Sequence, residues 1–213
     1  MKSSVDNQFQ HDRRDTAKDY TSVLAEGSLL DQVFALRYRA YVAEDYIEPN
    51  DTRRFFDEFD KTENCRSWLT YCGQELVGSI RACVYDPRQG LDVPVMEIFD
   101  RELREEVGYD KPFVEANKFV VAPEFQRRGG IRARFNMYRN IVDTAFETGA
   151  DRIVVAVRPS HIKFYKMLYF SAVSDIKAYP HLKFKTVLLA CYNMDALKEF
   201  IWSKTRTEIK AAA

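Results

Sequence analysis

Apolar residues at Ile131, Phe135, Tyr138, Val142, Ala145 and Phe146 recur in steps of mostly four and three. That period fixes one long amphipathic helix, and Gly149 supplies the left-handed residue that ends it. What flanks the helix narrows the fold further. Phe113 to Val121 reads as a strand ending at Pro123, because proline cannot donate to a ladder. Ile153 to Val157 is short and wholly apolar, as a strand buried in the middle of a sheet would be. Strand, loop, helix and buried strand in succession predict an α/β fold on a mixed sheet.

Around this unit the pattern predicts a helix over Ser28–Ala43 with Ser28 as N-cap. Strands Ser67–Tyr71 and Glu75–Tyr85 form a hairpin about Cys72-Gly73-Gln74. The 27 residues from Asp86 to Pro112 hold turns and a helical piece near Met96–Glu106; so long a connection is often functional. Beyond Val157 come a helix over Ser160–Leu168, strands near Ser171–Ile176 and Leu182–Tyr192, and a helix around Asp195–Ser203.

At 213 residues the chain fits one domain, taken here as 22–205, between a polar arm at 1–21 and a tail at 206–213 whose closing Ala211–Ala213 reads as an appended remnant. No apolar run approaches the roughly 20 residues of a bilayer span, and the polar start lacks the apolar segment of a signal peptide, so the expected location is the cytoplasm. Cys65, Cys72, Cys83 and Cys191 show no metal-ligand spacing and are expected to be reduced. His11, His161 and His181 are too scattered for a metal or triad and are assigned surface or capping roles. Basic and acidic residues balance at 32 each, which removes any overall pull toward nucleic acid. Between Gln126 and Val142, however, Arg127, Arg128, Arg132, Arg134 and Arg139 stand with no acid among them, predicting a local positive potential.

The loop Gln126 to Arg132 sets two glycines and several backbone amides ahead of a helix N-terminus. First-turn amides lack intrahelical partners and the macrodipole is positive there, so the unit suits a phosphate. Gly129 and Gly130 let the backbone approach such a ligand closely. Two glycines before a helix are equally compatible with a plain turn. In its context, VVAPEFQRRGGIRA resembles the acyl-donor motif of the GNAT acyltransferase superfamily, with Gln126 and Gly129 matching and Ile131 standing where a small residue is usual. HIKFYKMLYF is similar to the superfamily's later helix, with Tyr169 in place of a glycine. LRYRAYVAEDYI, FFDEFD, LVGSIRACV and VEANKFVV resemble, in order, motifs of acyl-homoserine-lactone synthases and the bacterial N-acyl amino acid synthases. Tyr46 replaces a tryptophan and Lys118 an arginine of the lactone makers; RPSHIKFY, AYPHL and VLLACYNM look closer to the N-acyl amino acid synthases.

The resemblance implies a single GNAT-like domain with a mostly antiparallel twisted sheet and flanking helices. It implies a long-chain acyl group carried on the phosphopantetheine of an acyl carrier protein, or on coenzyme A, with no permanently bound cofactor. The acceptor would be an amino acid, tyrosine above all. Phe119, Val120, Val121 and the loop Gln126, Arg127, Arg128, Gly129, Gly130, Ile131 and Arg132 would hold the donor, and Arg127, Arg128, Arg132, Arg134 and Arg139 would meet the acidic carrier. A solvated cationic helix face is the other reading of those arginines. Tyr165 falls on the tyrosine that protonates the departing thiolate, or is an aromatic core residue. Tyr46, Asp57 and Asp60 would shape the site.

An amino acid arrives as an ammonium ion, so attack on a thioester needs a base, and Glu115 in mid-strand is the candidate. The alternative is a structural pair with Arg81. Alternation sets Glu115, Asn117 and Phe119 on one face and Lys118 on the other unless a bulge intervenes. Amides around Phe119 to Val121 would stabilise the tetrahedral oxyanion. The acceptor carboxylate calls for an arginine fork, Arg39 or Arg81, although Arg81 could instead anchor the Asp57 and Asp60 loop. Phe119, Phe135, Tyr138, Val155 and Phe164 are candidates for an acyl tunnel or for ordinary core. An acetyl-coenzyme A N-acetyltransferase, a lactone synthase and a non-catalytic binding protein remain open alternatives.

Overall fold

A computed structural model describes residues 20–126, 131–179 and 182–205. Its strands are β1 (Tyr20–Leu24), β2 (Cys65–Cys72), β3 (Glu75–Tyr85), β4 (Phe113–Val121), β5 (Ile153–Val157), β6 (Ser171–Ala172), β7 (Lys177–Ala178) and β8 (Lys185–Cys191). The helices are α1 (Ser28–Ala43), α2 (Met96–Glu102, continued by a π-helical turn Leu103–Val107), α3 (Pro123–Gln126), α4 (Ile131–Thr148), α5 (Ile162–Met167) and α6 (Met194–Thr205). They build one sheet in the order β1-β2-β3-β4-β5-β8-β6, with β7 on β8. Every pairing is antiparallel except β4 with β5. The expected α/β class and mixed, mostly antiparallel sheet are what the chain forms.

Alternation along the central strands assigns the two faces. Val114, Ala116, Ile153, Val155 and Val157 pack with Phe135, Tyr138, Ile141 and Val142 of α4 and with Leu197 and Ile201 of α6. On the other face Phe113, Val154 and Leu188 meet Val95, Phe99 and Leu103, and Leu69 and Val120 meet Val33 and Leu36 of α1. A β5 strand covered on both sides needs no polar position, which is why it is apolar throughout.

Several sequence expectations change here. Residues 20–21, assigned to the arm, belong to β1, whose five residues pair with Trp68–Cys72. Ser28 is the first helical residue rather than the cap; Gly27, at φ 52°, precedes it and contributes no side-chain cap. Cys65 and Cys83, expected reduced, are joined in a disulfide, because the β2–β3 register sets them directly opposite with Cα atoms 4.1 Å apart. Cys72 and Cys191 are free and buried. Among the described residues no helix is long and apolar enough to cross a membrane, and no group of three metal-ligating side chains gathers.

The contact between β3 and α4 sets how close the helix lies behind the cleft strand. A Cβ on Gly78 would stand 2.6 Å from both Met137 Sδ and the backbone oxygen of Val120. The thioether can swing aside, but the strand carbonyl cannot. Gly78→Ala should therefore lower the unfolding free energy by about 1–3 kcal/mol, as overpacking does; chemical denaturation that finds the variant equal to or more stable than wild type would contradict this packing.

Candidate active site

The cleft begins where the sheet opens. β4 and β5 pair only at Val114–Ile153 and Glu115–Val154, after which β5 continues against β8 and β4 continues against β3. Within β4 the register with β3 slips between Ser79–Val120 and Arg81–Asn117, so that Lys118 and Phe119 together oppose Ile80. This is a β-bulge, and Lys118 carries its positive φ of 47°. The extra residue reverses the alternation. Lys118 stays on the face of Glu115 and Asn117, while Phe119 turns to α4 and meets Tyr138 edge-on at 6.3 Å. The expected sharing of a face by Glu115, Asn117 and Phe119 is corrected accordingly.

The opening leads into a cleft of about 870 Å³. Its walls include Glu115 to Val121, Gln126, Arg134, Arg158, Phe164 and Tyr165, with Tyr41, Tyr46, Phe55, Tyr179 and Phe184 among the aromatic residues. One ion network supports its floor. Arg81, only 1% exposed, donates through Nε to Asn117 (2.7 Å) and through both terminal nitrogens to the Asp57 carboxylate, with Asp60 Oδ1 3.0 Å from Nη1. Arg37 reaches the same Asp60 oxygen at 2.8 Å and Ser67 at 2.8 Å. Lys118 Nζ lies 3.1 Å from Asp57 and 4.1 Å from the centre of the Phe55 ring. Burial opposes ionisation of Asp57, yet Arg81 and Lys118 hold it well below the usual carboxylate range. Burial brings Lys118 down to about 8 against the pull of Asp57.

Glu115 enters no salt bridge among the described residues. It is 1% exposed; Val95 N donates to Oε2 at 2.8 Å and Asn117 Nδ2 to Oε1 at 2.9 Å. Burial raises its pKa to about 7, with the two hydrogen bonds and Arg81 pulling the other way. Each oxygen keeps a second lone pair, so the carboxylate can still accept a proton from a bound amine. Tyr165 is 4% exposed on α5 and its hydroxyl makes no hydrogen bond among the described residues; burial keeps it protonated.

The sequence-assigned residues fare unequally. Phe119, Val120, Val121, Gln126, Phe164, Tyr46, Asp57, Arg81, Glu115 and Tyr165 line one cleft. Asp60 sits immediately behind it. Ile131 and Arg132 open α4 as expected, whereas Arg127, Arg128, Gly129 and Gly130 lie outside the described residues, as do His11 and His181. Arg39 does not reach the cleft: it is exposed and paired with Glu124 at 2.9 Å. Arg81 is occupied by Asp57, Asp60 and Asn117, so its anchoring role is the one the geometry displays. Phe135, Tyr138 and Val155, offered as tunnel wall, are buried in the core under α4 instead.

Sequence reasoning missed Arg37, Arg158 and the cleft position of His161. For Arg37 a signal existed. It falls in the stripe Val33, Leu36, Arg37, Ala40 that α1 buries, and Arg39 does not.

The family profile of N-acyl amino acid synthase FeeM matches residues 32–192. Among solved structures, FeeM, an N-acyl amino acid synthase from uncultured soil microbes, superposes with a TM-score of 0.70 at 19% identity over 86% of this chain and 99% of its own. MesI, a CoA-dependent acyl-homoserine lactone synthase, gives 0.62 at 19% identity over 91% and 97%. Escherichia coli ElaA gives 0.56 at 15% identity over 82% and 99%. No match is found among curated protein sequences. The opened sheet, the cleft and the profile over three quarters of the chain agree, and the chain belongs to the N-acyl amino acid synthase FeeM family of acyltransferases with a GNAT-like fold.

Proposed function

We propose that this N-acyltransferase moves a long-chain fatty acyl group from the phosphopantetheine thioester of an acyl carrier protein to the α-amino group of an amino acid, with tyrosine as the acceptor. The observation that carries the reading is Glu115: a carboxylate at the point where β4 and β5 part, without a counter-ion of its own and with a pKa near neutrality. A general base works best when its pKa lies near the operating pH. Glu115 takes a proton from the acceptor ammonium, and the freed amine attacks the thioester carbonyl. Amides around Phe119 to Val121 receive the oxyanion. As the C–S bond breaks, Tyr165 gives its proton to the departing thiolate and is restored by the second proton that the attacking nitrogen releases.

Other features support the substrate classes. Aromatic walls from Tyr41, Tyr46, Phe55, Tyr179 and Phe184 suit an aromatic acceptor side chain. An acyl chain gains about 0.8 kcal/mol for each methylene buried, and a cleft that passes Phe119 and Phe164 offers apolar surface for one. Arg132 and Arg134 in the first turn of α4 would meet an acidic carrier, and Arg139, though 3.6 Å from Asp143, remains half-exposed.

Two predictions follow from the base and the acid. At a constant concentration of the ammonium form of the acceptor, kcat/KM should fall as pH drops through about 7, because protonated Glu115 cannot accept the proton. Glu115→Gln should lower it by roughly 10²–10⁴-fold and remove the inflection. A variant that keeps both rate and inflection would sink the assignment. Tyr165→Phe should lower kcat roughly 10²-fold while leaving KM for the acceptor unchanged, and an unchanged kcat would return Tyr165 to the core. In the same assays acetyl-coenzyme A outperforming a long-chain acyl carrier protein, or S-adenosylmethionine being consumed, would replace the proposed substrates.

A further inference from the structure

The α-carboxylate of an amino acid and the phosphate of a phosphopantetheine arm are both oxyanions that must be held near this cleft. Of the two arginines assigned from sequence to the acceptor carboxylate, Arg81 is occupied by its own acids and Arg39 lies outside the cleft. Lys118 is already paired with Asp57. A different guanidinium is available. Arg158, directly after β5, lines the cleft and forms no ion pair among the described residues. Its guanidinium carbon stands 4.3 Å from the centre of the Tyr46 ring and 5.7 Å from that of Phe184. Its Nη2 donates to His161 Nε2 at 3.0 Å.

That setting is built across distant parts of the chain. Tyr46 and Phe184 meet edge-on at 4.9 Å. The Lys183 amide donates to the Tyr46 carbonyl at 2.9 Å, and Lys183 Nζ binds Asp45 and Glu48 at 2.6 and 2.8 Å. The aromatic ledge under Arg158 is thereby tied down on both sides. A guanidinium stacked on aromatic rings and oriented by a neutral imidazole presents its remaining N–H groups as a fixed fork, suited to bidentate binding of carboxylate or phosphate. Arg134 adds a second cation on the cleft wall; burial chiefly opposes protonation of His161, and Arg158 and Arg134 push the same way. Glu44 faces the same group, but it is exposed and engaged by the Tyr46 hydroxyl at 3.3 Å.

We propose that Arg158, oriented by His161 and Tyr46 and assisted by Arg134, is an oxyanion-binding subsite of the cleft that takes a carboxylate or phosphate group of a substrate. The assignment rests on the acyltransferase reading for the identity of those substrates. Arg158 is a binding residue in it, and His161 a positioning residue.

Two substrate comparisons separate the sources. Tyrosine is compared with tyramine, which lacks the carboxylate, and long-chain acyl-coenzyme A with the acyl N-acetylcysteamine thioester, which lacks the phosphates. Arg158→Gln should raise KM roughly 10- to 100-fold for one anionic substrate, the scale of a lost charge-assisted pair, and leave its uncharged analogue within about twofold. Selective loss with tyrosine identifies the acceptor carboxylate as the anion; selective loss with acyl-coenzyme A identifies the donor phosphate. Arg158→Lys, which keeps the charge but loses the fork, should recover only part of the affinity. Equal losses with charged and uncharged substrates, or no loss, would overturn the subsite. Calorimetric titration of coenzyme A and of tyrosine into wild type and Arg158→Gln reads the same subsite without turnover. If wild type bound these ligands yet transferred no acyl group, the acyltransferase substrates would be wrong, while an affinity unchanged by Arg158→Gln would refute the subsite alone.

Discussion

The salt bridge between Arg81 and Asp57 is the contact on which the cleft depends. Arg81 projects from mid-β3, and by gripping Asp57 and Asp60 it fastens the segment before β2 over the face of the sheet where β4 bulges. Arg37 secures the same segment from α1. Lys118 then adds its ammonium to Asp57, and the side chain reaches it only because the bulge reverses its direction. Arg37, Arg81 and Lys118 face Asp57, Asp60 and Glu115, so the cluster balances when Glu115 is ionised. Charges this deeply buried cost desolvation and are retained only with near-complete pairing. Among the described residues Glu115 is the acid of this cluster left with hydrogen bonds but without an ion pair, and burial lifts it to about 7.

In the proposed reaction, the parting of β4 from β5 is what admits a substrate to that carboxylate. A continuous parallel ladder would leave no space between the strands and no free amides along β4. Here two paired positions hold the strands together at one end, and the bulge lets β4 keep its bonds to β3 while diverging from β5. Arg158 and Tyr165 follow β5 in the chain and line the same cleft as Glu115 and Lys118. In the proposed reaction the proton acceptor is carried by β4 and the acid by the segment after β5, with the substrates between them.

Much of this was legible in the residues. The period of α4 and the apolar run of β5 gave their limits, and the Pro123 stop gave the end of β4, because covered faces and ladder breaks leave direct traces in composition. The motifs point to Glu115 and Tyr165, and both line the cleft, while residues 127–130 of the loop lie outside the described residues. What failed did so for local physical reasons. A single extra residue in β4 leaves no compositional mark, so the reversal at Lys118 and Phe119 was visible only as a possibility. The motif resemblance points to Arg39, whereas the helical period buries its neighbour Arg37. Phe135, Tyr138 and Val155 could not be divided between core and tunnel, since an aromatic or branched side chain satisfies either environment. Cys65 and Cys83 were separated by a hairpin whose register, not its spacing, brings them opposite each other.

The central claim is that Glu115 activates the amine of an amino acid toward a long acyl thioester. Mass spectrometry of lipid extracts from cells overproducing the protein, beside cells producing equal amounts of folded Glu115→Gln, tests it most directly. The account predicts new ions of long-chain N-acyl amino acids, N-acyl tyrosine foremost, in the wild-type extract and their near-absence with the variant. An extract without any new acylated amino acid, or one in which the variant accumulates as much as wild type, would contradict it.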